Sequence, residues 1–223
     1  MPRPTLSAVL LPAAAAAVAL GALVLPAHPE SLVSSSSPEN YIADLFRATV
    51  ETVGPDGSEQ AGSGQYAVNA MKALIRREVP LGQTTRFMLG RYWQPIDNTP
   101  VAGEFQEQLL AFLAEAVTRS IRRHPGLSLA VEGSLGRADG TTLVRSELSL
   151  AGAHLPLDWI LEPRPDGSGF QMLDLVLGGI DARITLRTIA TSMLADDRST
   201  IADVVPQLRR ALPEAPADRA SQP

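Results

Sequence analysis

Apolar residues recur along this chain with two different periods, and the change from one to the other divides it. Tyr41, Ile42, Leu45, Phe46, Val50 and Val53 follow the i, i+3, i+4 rule, which predicts an amphipathic helix stopped by Gly54-Pro55-Asp56-Gly57. Ser58 to Gly64 reads as a connection. A second helix carries Tyr66, Ala70, Leu74 and Ile75 on one face and ends in Arg76, Arg77 and Glu78, which read as a solvated terminus before Pro80. Leu81 to Gly90 is a short helical piece that runs into Arg91-Tyr92-Trp93. Thr99 and Pro100 then open the longest helix, as N-cap and first helical residue. Its stripe of Val101, Phe105, Leu109, Phe112, Leu113, Ala116, Val117 and Ile121 is broad and requires a large apolar partner.

After His124-Pro125-Gly126 the period changes to two. Leu127 to Val131 and Thr142 to Leu150 read as strands separated by the turn Gly136-Arg137-Ala138-Asp139-Gly140. Leu155, Leu157, Trp159 and Leu161 alternate in a third strand, and Leu173, Leu175 and Leu177 in a fourth, with Phe170, Met172 and Val176 assigned to its other side. Between these two arms, Pro163 to Gly169 holds two prolines that cannot donate to a ladder and two glycines that accept positive φ. Ile180, Ile184, Leu186, Ile189 and Leu194 read as a helix, and Thr200 to Leu212 as a last one. Helices, then a meander, then helices give an α+β fold: a four-stranded antiparallel meander covered by N-terminal and C-terminal helices. The fourth strand is apolar on both sides apart from Asp174, so either helices or a ligand must cover it.

Composition narrows the function classes. The 223 residues suit one domain with a substantial core, and the net charge is −5 with no basic block. Only five Phe, three Tyr and two Trp are present, so neither a phosphate-neutralising face nor a base-stacking platform for nucleic acid is visible. There is no cysteine, which removes disulfides, thiolate chemistry and Cys-ligated zinc together. Residues 1–27 read as a secretory signal peptide, with Arg3 before the apolar run Ala13 to Leu25; the alternative is an uncleaved anchor over Leu6 to Leu25. Residues 28–38 are a serine-rich polar linker, 39–212 a single domain, and 213–223 a disordered tail.

Catalytic constellations are sparse. His28, His124 and His154 lack a second ligand at metal spacing, and neither a nucleophile elbow nor a phosphate-binding glycine loop occurs. Asp158 and Asp174 are the one carboxylate pair that the hairpin would bring near each other, and they carry the enzyme alternative.

Four segments, in this order, resemble the MlaC family, also called toluene-tolerance auxiliary proteins. They are Phe87-Met88-Leu89-Gly90-Arg91-Tyr92-Trp93, a helix carrying Phe105 and Leu109, Leu155-Pro156-Leu157-Asp158-Trp159, and Phe170 to Ile180. The resemblance covers about residues 65 to 212. The chain departs from the family pattern at Leu173, Gly178 and Asp181, where Tyr, Glu and Ser are usual.

The resemblance implies an NTF2-like sheet packed with helices around an apolar pocket. It also implies a periplasmic carrier that moves phospholipid between an outer-membrane lipoprotein complex and an inner-membrane ABC transporter bearing an MCE-domain protein, with no cofactor. Hopanoid-type lipid is the alternative cargo. Phe105, Leu109, Phe112, Leu148, Leu157, Trp159, Leu173 and Leu175 are the tail-lining candidates, Arg91 a candidate for a phosphate at the mouth, and the Arg76-Arg77 and Arg122-Arg123 pairs candidate docking points. The same apolar residues would equally make an ordinary closed core.

Overall fold

The structure is a computed structural model that describes residues 37–54, 63–150, 152–196 and 198–211. The segments read as signal peptide and tail, and nearly all of the linker, lie outside the described residues. Helix α1 spans Pro38–Val53. Ser37, at the linker's end, caps it by accepting the Asn40 N–H at 3.2 Å, and Pro38 takes the first turn, where its missing N–H matters least. Helices α2 (Ser63–Glu78) and α3 (Leu81–Leu89) follow, then two single 3₁₀ turns at Gly90–Tyr92 and Gln94–Ile96. Helix α4 spans Pro100–Arg123, 24 residues, or about 36 Å at ~1.5 Å per residue. Thr99 precedes it in extended conformation but does not cap it through its side chain: the hydroxyl turns back to donate to the Ile96 carbonyl.

Five strands, not four, make one antiparallel sheet in the order β1-β2-β3-β4-β5. They are Ser128–Gly136, Thr142–Leu150, Ala153–Pro163, Phe170–Leu177 and the two-residue Ile180–Asp181. The fifth exists because Gly178 and Gly179 both hold positive φ, at 55° and 82°, so a two-residue turn pairs Leu177 with Ile180. Ile180 therefore belongs to the sheet, and the next helix, α5, begins at Ala182 and runs to Leu194, capped by Asp181 through the Ile184 N–H at 2.7 Å. Helix α6 spans Ile201–Ala211.

A bulge corrects the reading of β4. Trp159 pairs with Leu175 and Ile160 with Asp174, but Leu161 pairs with Met172, which leaves Leu173 as the extra residue. Alternation reverses there. Phe170 and Met172 consequently pack in the same cluster as Leu175 and Leu177, not on the opposite side from them.

Three apolar clusters divide the interior. Tyr41, Ile42 and Phe46 of α1 lie on the sheet face made by Val144, Leu148, Leu157, Trp159, Leu161, Leu175 and Leu177. A second cluster joins α3 and the first half of α4 to α5 and α6. In the third, Ala48 and Val50 of α1 and Met71 and Leu74 of α2 meet Ala114, Val117 and Ile121 in the second half of α4.

Candidate functional site

Where the first and third clusters meet, packing is incomplete and a cleft remains. Counted with its open mouth, it encloses about 850 Å³. Leu45, Phe46 and Thr49 of α1, Met71, Leu74, Ile75 and Glu78 of α2, and Leu113 and Val117 of α4 form its helical walls. Trp159, Met172, Leu173, Asp174 and Leu175 form its sheet wall, and Ala182 and Arg183 at the start of α5 flank it, together with Val79 and Thr84. The two methionines give opposite walls unbranched side chains that adapt to irregular contents.

The polar atoms of this lining are mostly turned away or paired. Trp159 donates its indole N–H to the Ser146 hydroxyl at 2.9 Å, and that hydroxyl donates to the Leu157 carbonyl at 2.7 Å, all of it buried. The indole thus presents hydrocarbon to the cleft. Thr49 returns its hydroxyl to the Leu45 carbonyl at 2.6 Å. Glu78 is only 3% exposed, so the solvated end expected of α2 is a buried carboxylate instead. It is held by Arg77, by Arg164 at 2.6 Å and by the Tyr41 hydroxyl at 2.9 Å. Burial, then the charge of Glu78, push the Tyr41 phenol far above its ordinary range, so it remains a donor.

Asp174 accepts the backbone N–H groups of Leu175 at 2.7 Å and Arg183 at 3.2 Å. Burial, opposed by the Leu175 N–H and helped by the neighbouring Asp181 carboxylate, raises it to about 6. Asp158 is not its cross-strand partner: Asp158 stands opposite Val176 and Asp174 opposite Ile160, so the register sets the two carboxylates diagonally. The Leu175 and Arg183 backbone N–H groups occupy Asp174, and Asp158 is not paired with it across the strands.

Of the residues chosen from sequence, Trp159, Leu173 and Leu175 line the cleft. Leu148 and Leu157 lie on the same sheet face as Trp159 and Leu175 but do not line the cleft. Phe105, Leu109 and Phe112 do not line it: they fill the cluster beneath α3, α5 and α6, because the stripe on α4 serves different partners along its length. Arg91 donates to the Tyr92 hydroxyl at 2.7 Å and lies over that ring at 4.9 Å, on the exposed 3₁₀ turn and not at the cleft. Of the arginine pairs, Arg76 binds Glu107 at 2.7 Å and Arg77 binds Glu78.

The sequence reading places neither the α1 and α2 walls nor Arg183 among the lining candidates. The helical period marked the former as buried but carried no sign of an incompletely filled space. Among the described residues no helix is long and apolar enough to cross a membrane.

Comparison with known proteins bears on this geometry. The family model described as MlaC protein matches residues 44–210. Among solved structures, a phospholipid-binding protein from Ralstonia solanacearum, determined in complex with a phospholipid, is similar with a TM-score of 0.57 and 19% identity, over 76% of this chain and 93% of that one. At that identity the likeness is one of fold. No curated protein matches.

Proposed function

This chain belongs to the MlaC protein family, and from that premise we propose that it is a lipid carrier which holds the tails of a phospholipid in the cleft between α1, α2, α4 and the sheet. The observation that carries the reading is the cleft itself. Its walls are apolar side chains from three helices and two strands with few polar groups among them, the lining expected of a site for an apolar ligand. The fold likeness to a protein named as phospholipid-binding supports the same ligand class.

The physical need for such a cleft follows from solubility. Each methylene withdrawn from water contributes ~0.8 kcal/mol, so a two-chain amphiphile with some thirty methylenes pays on the order of 20 kcal/mol to stand free in water. A carrier lowers that barrier by replacing water with side chains such as Leu45, Met71, Trp159 and Leu175. In this reading residues 1–27 export the chain to the periplasm, and the carrier exchanges its cargo with an outer-membrane lipoprotein complex and an inner-membrane ABC transporter bearing an MCE-domain protein.

Native mass spectrometry of the protein purified from a bacterial periplasm, followed by organic extraction, tests the proposal. One phospholipid per chain is expected; a hopanoid would keep the carrier and change the cargo. A ligand-free mass, with no uptake from phospholipid vesicles, would make the cleft a packing defect and overturn the reading.

A further inference from the structure

Among the described residues, three charged ones line the cleft, Glu78, Asp174 and Arg183, and they differ in what they are bonded to. Glu78 is held by Arg77, Arg164 and Tyr41. Asp174 accepts two backbone N–H groups. The Arg183 guanidinium has no hydrogen bond or ion pair among the described residues, and its Nε–H is buried without any partner. What holds it is the face of Phe87, 4.3 Å from its carbon to the ring centroid. Stacking of this kind fixes the plane of a guanidinium while leaving its N–H donors unused.

The adjacent cation shows the contrast. Arg187 also lies over the Phe87 ring, at 5.0 Å, but donates to the Phe87 carbonyl at 2.7 Å. Arg187 is therefore anchored to backbone, and Arg183 is oriented but unpaired. Buried donors in native proteins are almost always satisfied, and a planar guanidinium matches the paired oxygens of a phosphate better than any other side chain does.

We infer that Arg183, stacked on Phe87, binds the phosphate of the cargo's headgroup at the edge of the apolar cleft. The inference rests on the carrier reading and adds to it a discriminating group: lipids that carry a phosphodiester are selected over neutral lipids with the same tails. The carboxylates of Asp174 and Asp181 both direct oxygens at backbone N–H groups at the start of α5, those of Arg183 and Ile184.

The test compares uptake of dioleoylphosphatidylglycerol and dioleoylglycerol by delipidated full-length protein, as wild type, Arg183→Gln and Arg183→Lys, with thermal melting of each. Wild type is expected to prefer the phosphate-bearing lipid by about tenfold, the scale of one charge-assisted pair. Arg183→Gln should lose that preference while taking up dioleoylglycerol as before, and Arg183→Lys should fall between them. An unchanged preference in Arg183→Gln, or equal loss of both lipids with a lowered melting point, overturns the headgroup site and leaves the carrier standing. Saturable binding of millimolar inorganic phosphate that Arg183→Gln abolishes, with wild type showing no preference between the two lipids, would make this a free-anion site and also overturn it. Wild type that takes up neither lipid defeats the carrier reading itself, and this inference with it.

Discussion

The Arg164 guanidinium, in the turn between β3 and β4, meets the Glu78 carboxylate at the end of α2 at 2.6 Å, across 86 residues of sequence. The same arginine donates to the Arg77 carbonyl at 2.9 Å. A hairpin turn is thereby fastened to the helix that forms one wall of the cleft. The Glu78 side chain is 4% exposed, so these partners take the place of the water it has lost.

Arg164→Ala should therefore destabilise the fold by about 2 kcal/mol. This is less than the ~3–5 kcal/mol of a wholly orphaned buried charge, because Arg77 remains. Tyr41→Phe removes one hydrogen bond to a charged group and should cost about 1.5 kcal/mol. Urea unfolding of both variants checks the order; equal stability of Arg164→Ala and wild type would show that the clamp contributes nothing.

Asp174 ties stability to pH. Its folded value of about 6 stands above the ordinary carboxyl value, so the native state holds this proton more tightly than the unfolded state does. The associated stability is complete below about pH 4 and is lost as pH rises through about 6. Asp174→Asn keeps an acceptor for the Leu175 and Arg183 N–H groups and removes the titration. Above pH 6.5 the variant should be more stable than wild type by about 1 kcal/mol once solvent screening is allowed for, and the difference should vanish near pH 4. Parallel unfolding curves from pH 4 to 7 would contradict it.

Ser146→Ala strands the Trp159 indole N–H inside the sheet cluster. A loss of about 1–3 kcal/mol is expected from the unsatisfied donor. If the indole rotates to find another partner, its ring leaves the cleft wall and lipid occupancy measured by native mass spectrometry falls as well.

Leu113 and Phe105 separate the cleft from the helical core. Leu113→Trp places bulk in the cleft and should reduce lipid occupancy severalfold with little change in melting temperature. Phe105→Ala opens a cavity in the second cluster and should cost about 3–5 kcal/mol while lipid binding by the remaining folded protein is kept. The reverse pattern, with Phe105→Ala losing lipid at full stability, would move the site to the other end of α4.

Period and punctuation made most of the architecture readable. Gly54, Pro100 and the Asp166-Gly167 turn act through neighbours a few residues away, and the strands β2 and β3 show on their own residues which face is apolar. The short β5 was also legible in principle, since Gly178-Gly179 between apolar residues is a hairpin signal. The bulge at Leu173 was not, because an unbroken alternation of Leu173, Leu175 and Leu177 conceals a register that only pairing with β3 decides.

The site divides in the same way. Apolar character at Phe105, Leu113, Trp159 and Leu175 is local, and from sequence alone it determined that these residues leave water within an α+β fold of helices over a meander. Whether a buried side chain touches a neighbour or an open space depends on how far three helices and a twisted, bulged sheet approach one another, a distance no single segment encodes. The tertiary structure decided that Phe105, Leu109 and Phe112 close a core while Leu113 and Trp159 face a cleft. It decided the charges too. Glu78 and Arg183 look alike in sequence as polar residues at helix ends, and only long-range packing gives one of them an arginine 86 residues away and leaves the other an aromatic face with unused donors.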